Sequence, residues 1–184
     1  VPAGFKVVNK DANVTDGIVV EDVSHAATAG SQFVWIPVGE VVKDSAGNKE
    51  TITLGRYIFN EDGSVNTELS KTEPGDQLKT SSSASNYFTE GLKDSTTSNT
   101  HAKDIEDFKN KVTNTTHGYY IGKYEARKNG TQLTVKASDT VYNITQSNAA
   151  TASREMYSDS NFESDLMNSY AWDTAVYFLQ KFDN

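Results

Sequence analysis

Three stretches decide how this chain is read: Gly118-Tyr-Tyr-Ile-Gly-Lys-Tyr-Glu125, Tyr142-Asn-Ile-Thr-Gln-Ser-Asn-Ala-Ala150 and Leu166-Met-Asn-Ser-Tyr-Ala-Trp-Asp-Thr-Ala175. The first predicts a strand from Tyr119 to Arg127, with Tyr120, Gly122, Tyr124 and Ala126 on one face, because alternate strand side chains point the same way. Asn129-Gly130 predicts a turn, and Thr131 to Ala137 the returning strand of a hairpin. In the second stretch Thr145 is a good N-cap. The helix it opens runs to about Tyr157, with Ala149, Ala152, Ser153 and Met156 on one stripe. In the third, Asn168 or Ser169 caps a last helix. Trp172, Ala175, Val176 and Leu179 are its expected buried face, flanked by Phe178 and Phe182.

Working outward, Phe5 to Val8 and Gly17 to Glu21 read as short strands. Phe33-Val-Trp-Ile-Pro-Val38 is apolar on both parities, as a strand covered on both sides would be. Val41-Val42 and Glu50 to Phe59 flank Asp44-Ser-Ala-Gly-Asn48, which predicts a second hairpin. Asn60-Glu-Asp-Gly-Ser64 reads as a tight turn. Residues from about 65 to 100 are rich in Ser, Thr and Asn, and read as a polar insertion within a single domain spanning 1–184. His101 to Val112 predicts an amphipathic helix carrying Ile105, Phe108 and Val112, ended by the polar run before Gly118. The sum is an α+β chain with twisted antiparallel hairpins and two or three helices.

Four of these segments together resemble the formylglycine-generating-enzyme-like (sulfatase-modifying-factor) domain, a variant of the C-type-lectin-like fold. Phe33 to Gly39 is similar to that family's Phe-Val-Trp-Ile-Pro-Val-Gly strand, and Tyr119 to Glu125 to its Tyr-Tyr-Ile-Gly-Lys-Tyr-Glu strand. Val141 to Ala149 stands where the family has Pro-Val-X-X-Val-Ser-Trp-X-Asp-Ala, with Gln146 replacing Trp and Asn148 replacing Asp. Asp165 to Trp172 stands where it has Arg-Leu-Pro-Thr-Glu-X-Glu-Trp. The divergent Asn-Ser-Tyr-Ala-Trp-Asp style resembles bacterial surface and pilin-associated members. The resemblance covers the N-terminal part of the family domain. The Gly-Asn-Val-Trp-Glu-Trp-like and Arg-Gly-Gly-like segments and the catalytic cysteines have no counterpart, so it implies an incomplete copy whose remainder was cut away or is supplied by a partner. It also implies that Glu125 organises local structure, as the matching Glu does in the family.

Composition narrows the function. The 184 residues are 36% hydrophobic and carry a formal charge of -8 with no cysteine. An acidic chain repels phosphate backbones and anionic membranes, so nucleic acid is not expected as a partner. Without cysteine there is no disulfide, thiolate metal site or thiol nucleophile in this chain. No run approaches the roughly 18 apolar residues of a membrane span. The abundance of Ser, Thr, Asn and Gly points to an extracellular or cell-surface location. The opening Val1-Pro2 and the ending Lys181-Phe-Asp-Asn184 suggest a removed leader or an excerpt.

No catalytic, cofactor or metal residue is assigned. His25, His101 and His117 lie far apart without an i, i+4 pair, which gives zinc no foothold. Asp11-Ala-Asn13-Val-Thr15-Asp16-Gly17 and Asn60-Glu61-Asp62-Gly63 are oxygen-rich enough to raise calcium, although each is more often a plain turn. Ser153 and Asp173 have no histidine in a motif with which to form a triad. Asn13, Asn114, Asn129 and Asn143 fit N-X-Ser/Thr, a triplet common by chance in so threonine-rich a chain. Trp35 and Trp172 either stack on sugars or pack in a core, and their apolar spacing favours the core. The expectation is a noncatalytic surface or secreted module for binding or assembly, such as an appendage subunit. Its partner would be a protein or glycan, a further copy or a completing second half. The alternative is a sulfatase-modifying oxidase whose catalytic half lies outside this chain.

Overall fold

The computed structural model describes residues 1–66, 105–157 and 162–182. Most of the polar insertion expected at 65–100, together with His101, lies outside those residues.

The described chain is a mixed α+β protein of antiparallel sheets and three α-helices. The strands are β1 (Phe5–Val7), β2 (Val19–Asp22), β3 (Gln32–Pro37), β4 (Gly39–Val42), β5 (Lys49–Ile52), β6 (Gly118–Gly122), β7 (Arg127–Asn129), β8 (Gln132–Thr134) and β9 (Thr140–Val141). The helices are α1 (Ile105–Lys111), α2 (Gln146–Met156) and α3 (Ser169–Phe182). One sheet runs β1-β2-β3-β6, a second is the β4-β5 hairpin, and the third runs β8-β7-β9. Registers include Val7 opposite Val20, Val20 opposite Phe33, and Val41 opposite Glu50.

The contacts divide the chain into two compact units. The first holds Val1–Trp35 and, among the described residues, 120–157 and 162–166. Its core gathers Leu133, Val135, Met156 and Tyr157, against which Phe5, Phe33, Tyr142, Ala152 and Phe162 pack. The rings meet edge to face, as their quadrupoles favour: Phe5 lies 5.6 Å from Tyr157 and 5.5 Å from Phe162. The second unit holds residues 36–66, 105–119 and 167–182 of the described chain. Its core gathers Val38, Leu54, Val112 and Tyr170, with Phe108 and Tyr119 against them.

Several elements differ from the sequence reading. The strand expected from Tyr119 to Arg127 is two: β6 stops at Gly122, and β7 starts at Arg127 in another sheet. At Gly122 the chain turns so tightly that an added Cβ would lie 2.9 Å from Val135 Cγ1 and 3.1 Å from Tyr124 O. Glycine here marks a bend rather than a strand interior. The β7-β8 hairpin forms, with Gly130 and Thr131 as its turn residues. Gly130 has φ +62 while Thr131 has no positive φ, the pattern of a type II′ turn.

The strand expected from Glu50 to Phe59 ends at Ile52, because the backbone donors beyond it bond to α3 side chains instead of a ladder. The predicted helix ending at Val112 finishes as α1 at Lys111 and continues as a π turn, Val112–Thr116. The left-handed residue that closes it is His117, at φ 53 and ψ 35, not the glycine after it.

Candidate functional site

Helix α3 was expected to bury Trp172, Ala175, Val176 and Leu179. Ala175 is buried, but Trp172 is 59% and Leu179 58% exposed. The buried stripe is Tyr170, Thr174 and Phe178, at i, i+4 and i+8, flanked by Ala171 and Ala175. The helix thus carries two apolar stripes, and periodicity alone does not say which one faces inward.

Polar groups decide the rotation. Gly55 N donates to Thr174 Oγ1 at 3.0 Å and Tyr57 N donates to Asp173 Oδ2 at 3.0 Å. The Arg56 guanidinium bonds the same Asp173 oxygen through Nε at 2.7 Å. The Gly55 and Tyr57 donors are taken up by α3 side chains, and a buried N–H left unpaired costs about 1–3 kcal/mol. Turning Asp173 and Thr174 inward therefore forces Trp172 outward. Asn168 fixes the helix start: its Oδ1 accepts from Ala171 N at 2.9 Å, as an N-cap does. Tyr119 OH donates to Ala171 O at 2.6 Å, and Tyr57 stacks on Tyr177 at 4.4 Å. Burial, then the neighbouring Tyr177 and Asp173, hold the Tyr57 phenol above its ordinary pKa. This cluster is a neutral-donor and ion-pair clamp that ties segment 55–57 to α3.

On the opposite side of α3, Trp172, half-buried Val176 and Leu179 stand at i, i+4 and i+7. They form an uncharged apolar stripe in contact with solvent, two of whose three members are more than half exposed.

In the first unit the Asp22 carboxylate is fully buried and takes five hydrogen bonds. Oδ1 accepts from Ser24 N, His25 N and His25 Nδ1, the last at 2.9 Å. Oδ2 accepts from Thr28 Oγ1 at 2.5 Å and Tyr157 OH at 2.9 Å. Burial pushes the carboxyl pKa up, but the bonds from Thr28, His25 and Tyr157 outweigh it and hold it below the ordinary value. The carboxylate ties the end of β2 to the following loop and to Tyr157 at the end of α2. His25 is half-buried among Phe5, Tyr157 and Phe162, whose rings lie 5.5–5.8 Å from its own. The sequence offered a signal only in the Asp22–His25 spacing. Every group bonded to Asp22 comes from the same unit, which gives the arrangement the character of a knot.

The first unit also carries an open cleft of about 470 Å³ between the β7-β8 turn and one face of α2. The segment Tyr142-Asn143-Ile144-Thr145 forms one wall. Asn148, Thr151, Ala152 and Glu155, at i, i+3, i+4 and i+7, form the other. Of this face the sequence marks Ala152 in the apolar stripe and Asn148 in place of an Asp, but hydrophobic spacing says nothing of the polar cleft they share.

The remaining candidates fall as follows. Glu125, expected to organise local structure, is exposed and makes no hydrogen bond or ion pair with the described residues. His117 is an exposed turn residue. Trp35 is half-buried with its ring 4.8 Å from that of Tyr120. Ser153 and Asp173 fall in different units. In the first oxygen-rich loop, Asp16 Oδ2 accepts from Asn13 N at 2.8 Å. In the second, Asp62 Oδ1 accepts from Ser64 N at 2.9 Å. Both carboxylates thus serve their own turns, and among the described residues no three His, Cys, Asp or Glu side chains gather for a metal ion. No described helix is long and apolar enough to cross a membrane. No protein-family model, curated protein or solved structure matches the chain.

Proposed function

We propose that this chain is a noncatalytic module that assembles with further copies of itself, outside the cell or at its surface, as an appendage subunit would. We propose with it that the chain is a divergent relative of the formylglycine-generating-enzyme-like branch of C-type-lectin-like folds. The observation that carries the assembly reading is the Trp172-Val176-Leu179 stripe on the solvent side of α3. Tryptophan anchors binding hot spots more often than most residues, and an i, i+4, i+7 apolar face is how a helix presents itself to a partner. A second copy suits this stripe because its three residues are uncharged. Pairing it with itself sets no like charges face to face, although each chain carries -8 overall. The Ser-, Thr-, Asn- and Gly-rich composition, with few Lys and Arg, supports the location.

The test is size against concentration, by sedimentation and light scattering, for the wild-type chain and the Trp172→Ala/Leu179→Ala variant. The wild type is expected to grow with concentration and the variant to stay monomeric. Because both positions are exposed, the variant's unfolding free energy should stay within about 0.5 kcal/mol of wild type for each substitution. A wild-type monomer across the whole series would end the assembly reading.

A further inference from the structure

We infer that the cleft between the β7-β8 turn and α2 is a binding site for a neutral polyol of sugar-ring size, held without a metal ion. Its volume of about 470 Å³ falls among small-molecule sites, which run from about 300 to 1,000 Å³. The chemistry of its walls selects the ligand. Two carboxamides, Asn143 and Asn148, each offer two donors and an acceptor, and Thr131, Thr145 and Thr151 add hydroxyls that do both. Such groups pair with hydroxyls, which also donate and accept. The single ionisable wall group besides the Tyr142 phenol is Glu155, a carboxylate, and no Lys or Arg lines the cleft. An anion therefore meets a carboxylate with no cation among the wall residues, the Lys128 ammonium lying over the Tyr142 ring, and one carboxylate is too few to hold a hard cation, which takes six or more oxygens in calcium sites.

Tyr142 supplies the apolar element. Its ring packs on the Leu133-Val135-Met156-Tyr157 core and carries Lys128 Nζ at 5.2 Å from its centre, so it is held in place before any ligand arrives. Ile144 and Ala152 add half-buried carbon surface for the C–H face of a ring. The Asn143, Asn148 and Glu155 side chains make no hydrogen bond or ion pair with described residues, which leaves their full capacity for a ligand. The four α2 residues share one helix face, so the wall is rigid, which limits the ordering cost of binding.

The experiment is an amide-resolved NMR titration of the whole chain with glucose, galactose, mannose and N-acetylglucosamine separately, in chelator. Inorganic phosphate and calcium chloride without chelator serve as controls. At least one sugar is expected to shift the Asn143 and Asn148 side-chain amides and the α2 backbone saturably. Asn143→Ala and Asn148→Asp, both at exposed positions and so compatible with folding, should each weaken that sugar roughly tenfold. Silence with all four sugars, equal shifts with phosphate, a requirement for calcium, or affinity unchanged in both variants would each overturn the assignment. Repeating the titration on the Trp172→Ala/Leu179→Ala variant separates this site from the assembly face. The sugar response is expected to persist there, and its loss would also count against the cleft.

Discussion

Two buried carboxylates carry the residue-scale behaviour. Asp22 has its pKa held below the ordinary aspartate value of 3.8. Between the two values the unfolded chain binds more protons, so stability rises with pH there. The contribution is full above 3.8 and disappears as pH falls through the lower, folded value. Asp22→Asn should flatten that limb of a stability–pH curve from denaturant melts. It should also cost about 2–3 kcal/mol at neutral pH, since an amide cannot accept all five bonds. At Asp173 the loss would be larger. Asp173→Ala strips a partner from Arg56, whose side chain is 14% exposed, and from Tyr57 N–H. Equilibrium unfolding should show a loss of about 3–5 kcal/mol. Thr174→Val, which leaves Gly55 N–H unpaired, should cost about 1–3 kcal/mol. Neither role was legible beforehand: Asp173 and Thr174 are polar letters in an apolar run, and their partners lie more than a hundred residues away.

At the scale of elements, the sequence located most strands and helices but misjudged where they stop and which way they face. Asn168 was legible as a cap because a side-chain acceptor three residues before an N–H is a local pattern. The β4-β5 and β7-β8 hairpins were legible for the same reason, through Gly47 and Gly130. The end of β6 was not, since what leaves room only for a glycine at 122 is Val135, a contact the local sequence does not announce. Gly122→Ala is therefore expected to lose about 1–3 kcal/mol, the usual cost of overpacking. A thermal melt of that variant would check it, and a cost near zero would mean that Val135 moves aside. The rotation of α3 was illegible for a different reason. Tyr170-Thr174-Phe178 and Trp172-Val176-Leu179 are equally good stripes until the donors of 55–57 are known. The cleft's polar wall on α2 shared that fate, because a hydrophobic pattern says nothing of what polar faces gather.

For the molecule as a whole, charge sets the conditions under which copies can meet. A chain with charge -8 and a pI near 4.8 repels its own kind at neutral pH and low salt. Association through an uncharged stripe should strengthen as salt shortens the reach of that repulsion, and again as pH approaches 4.8. Sedimentation across a salt series would show it, whereas weakening with salt would indicate ionic contacts instead. The broad class, α+β with antiparallel sheets, was readable from alternating and helical spacing. The division into two units was not, because each is assembled from pieces distant in the chain. Gly55 and Thr174, whose bond helps seat α3, are 119 positions apart. During synthesis, then, the β4-β5 hairpin leaves the ribosome long before the helix that completes its unit exists. For that interval Ile52 and Leu54 wait without their cover, and a chaperone that holds exposed apolar segments would find its substrate there.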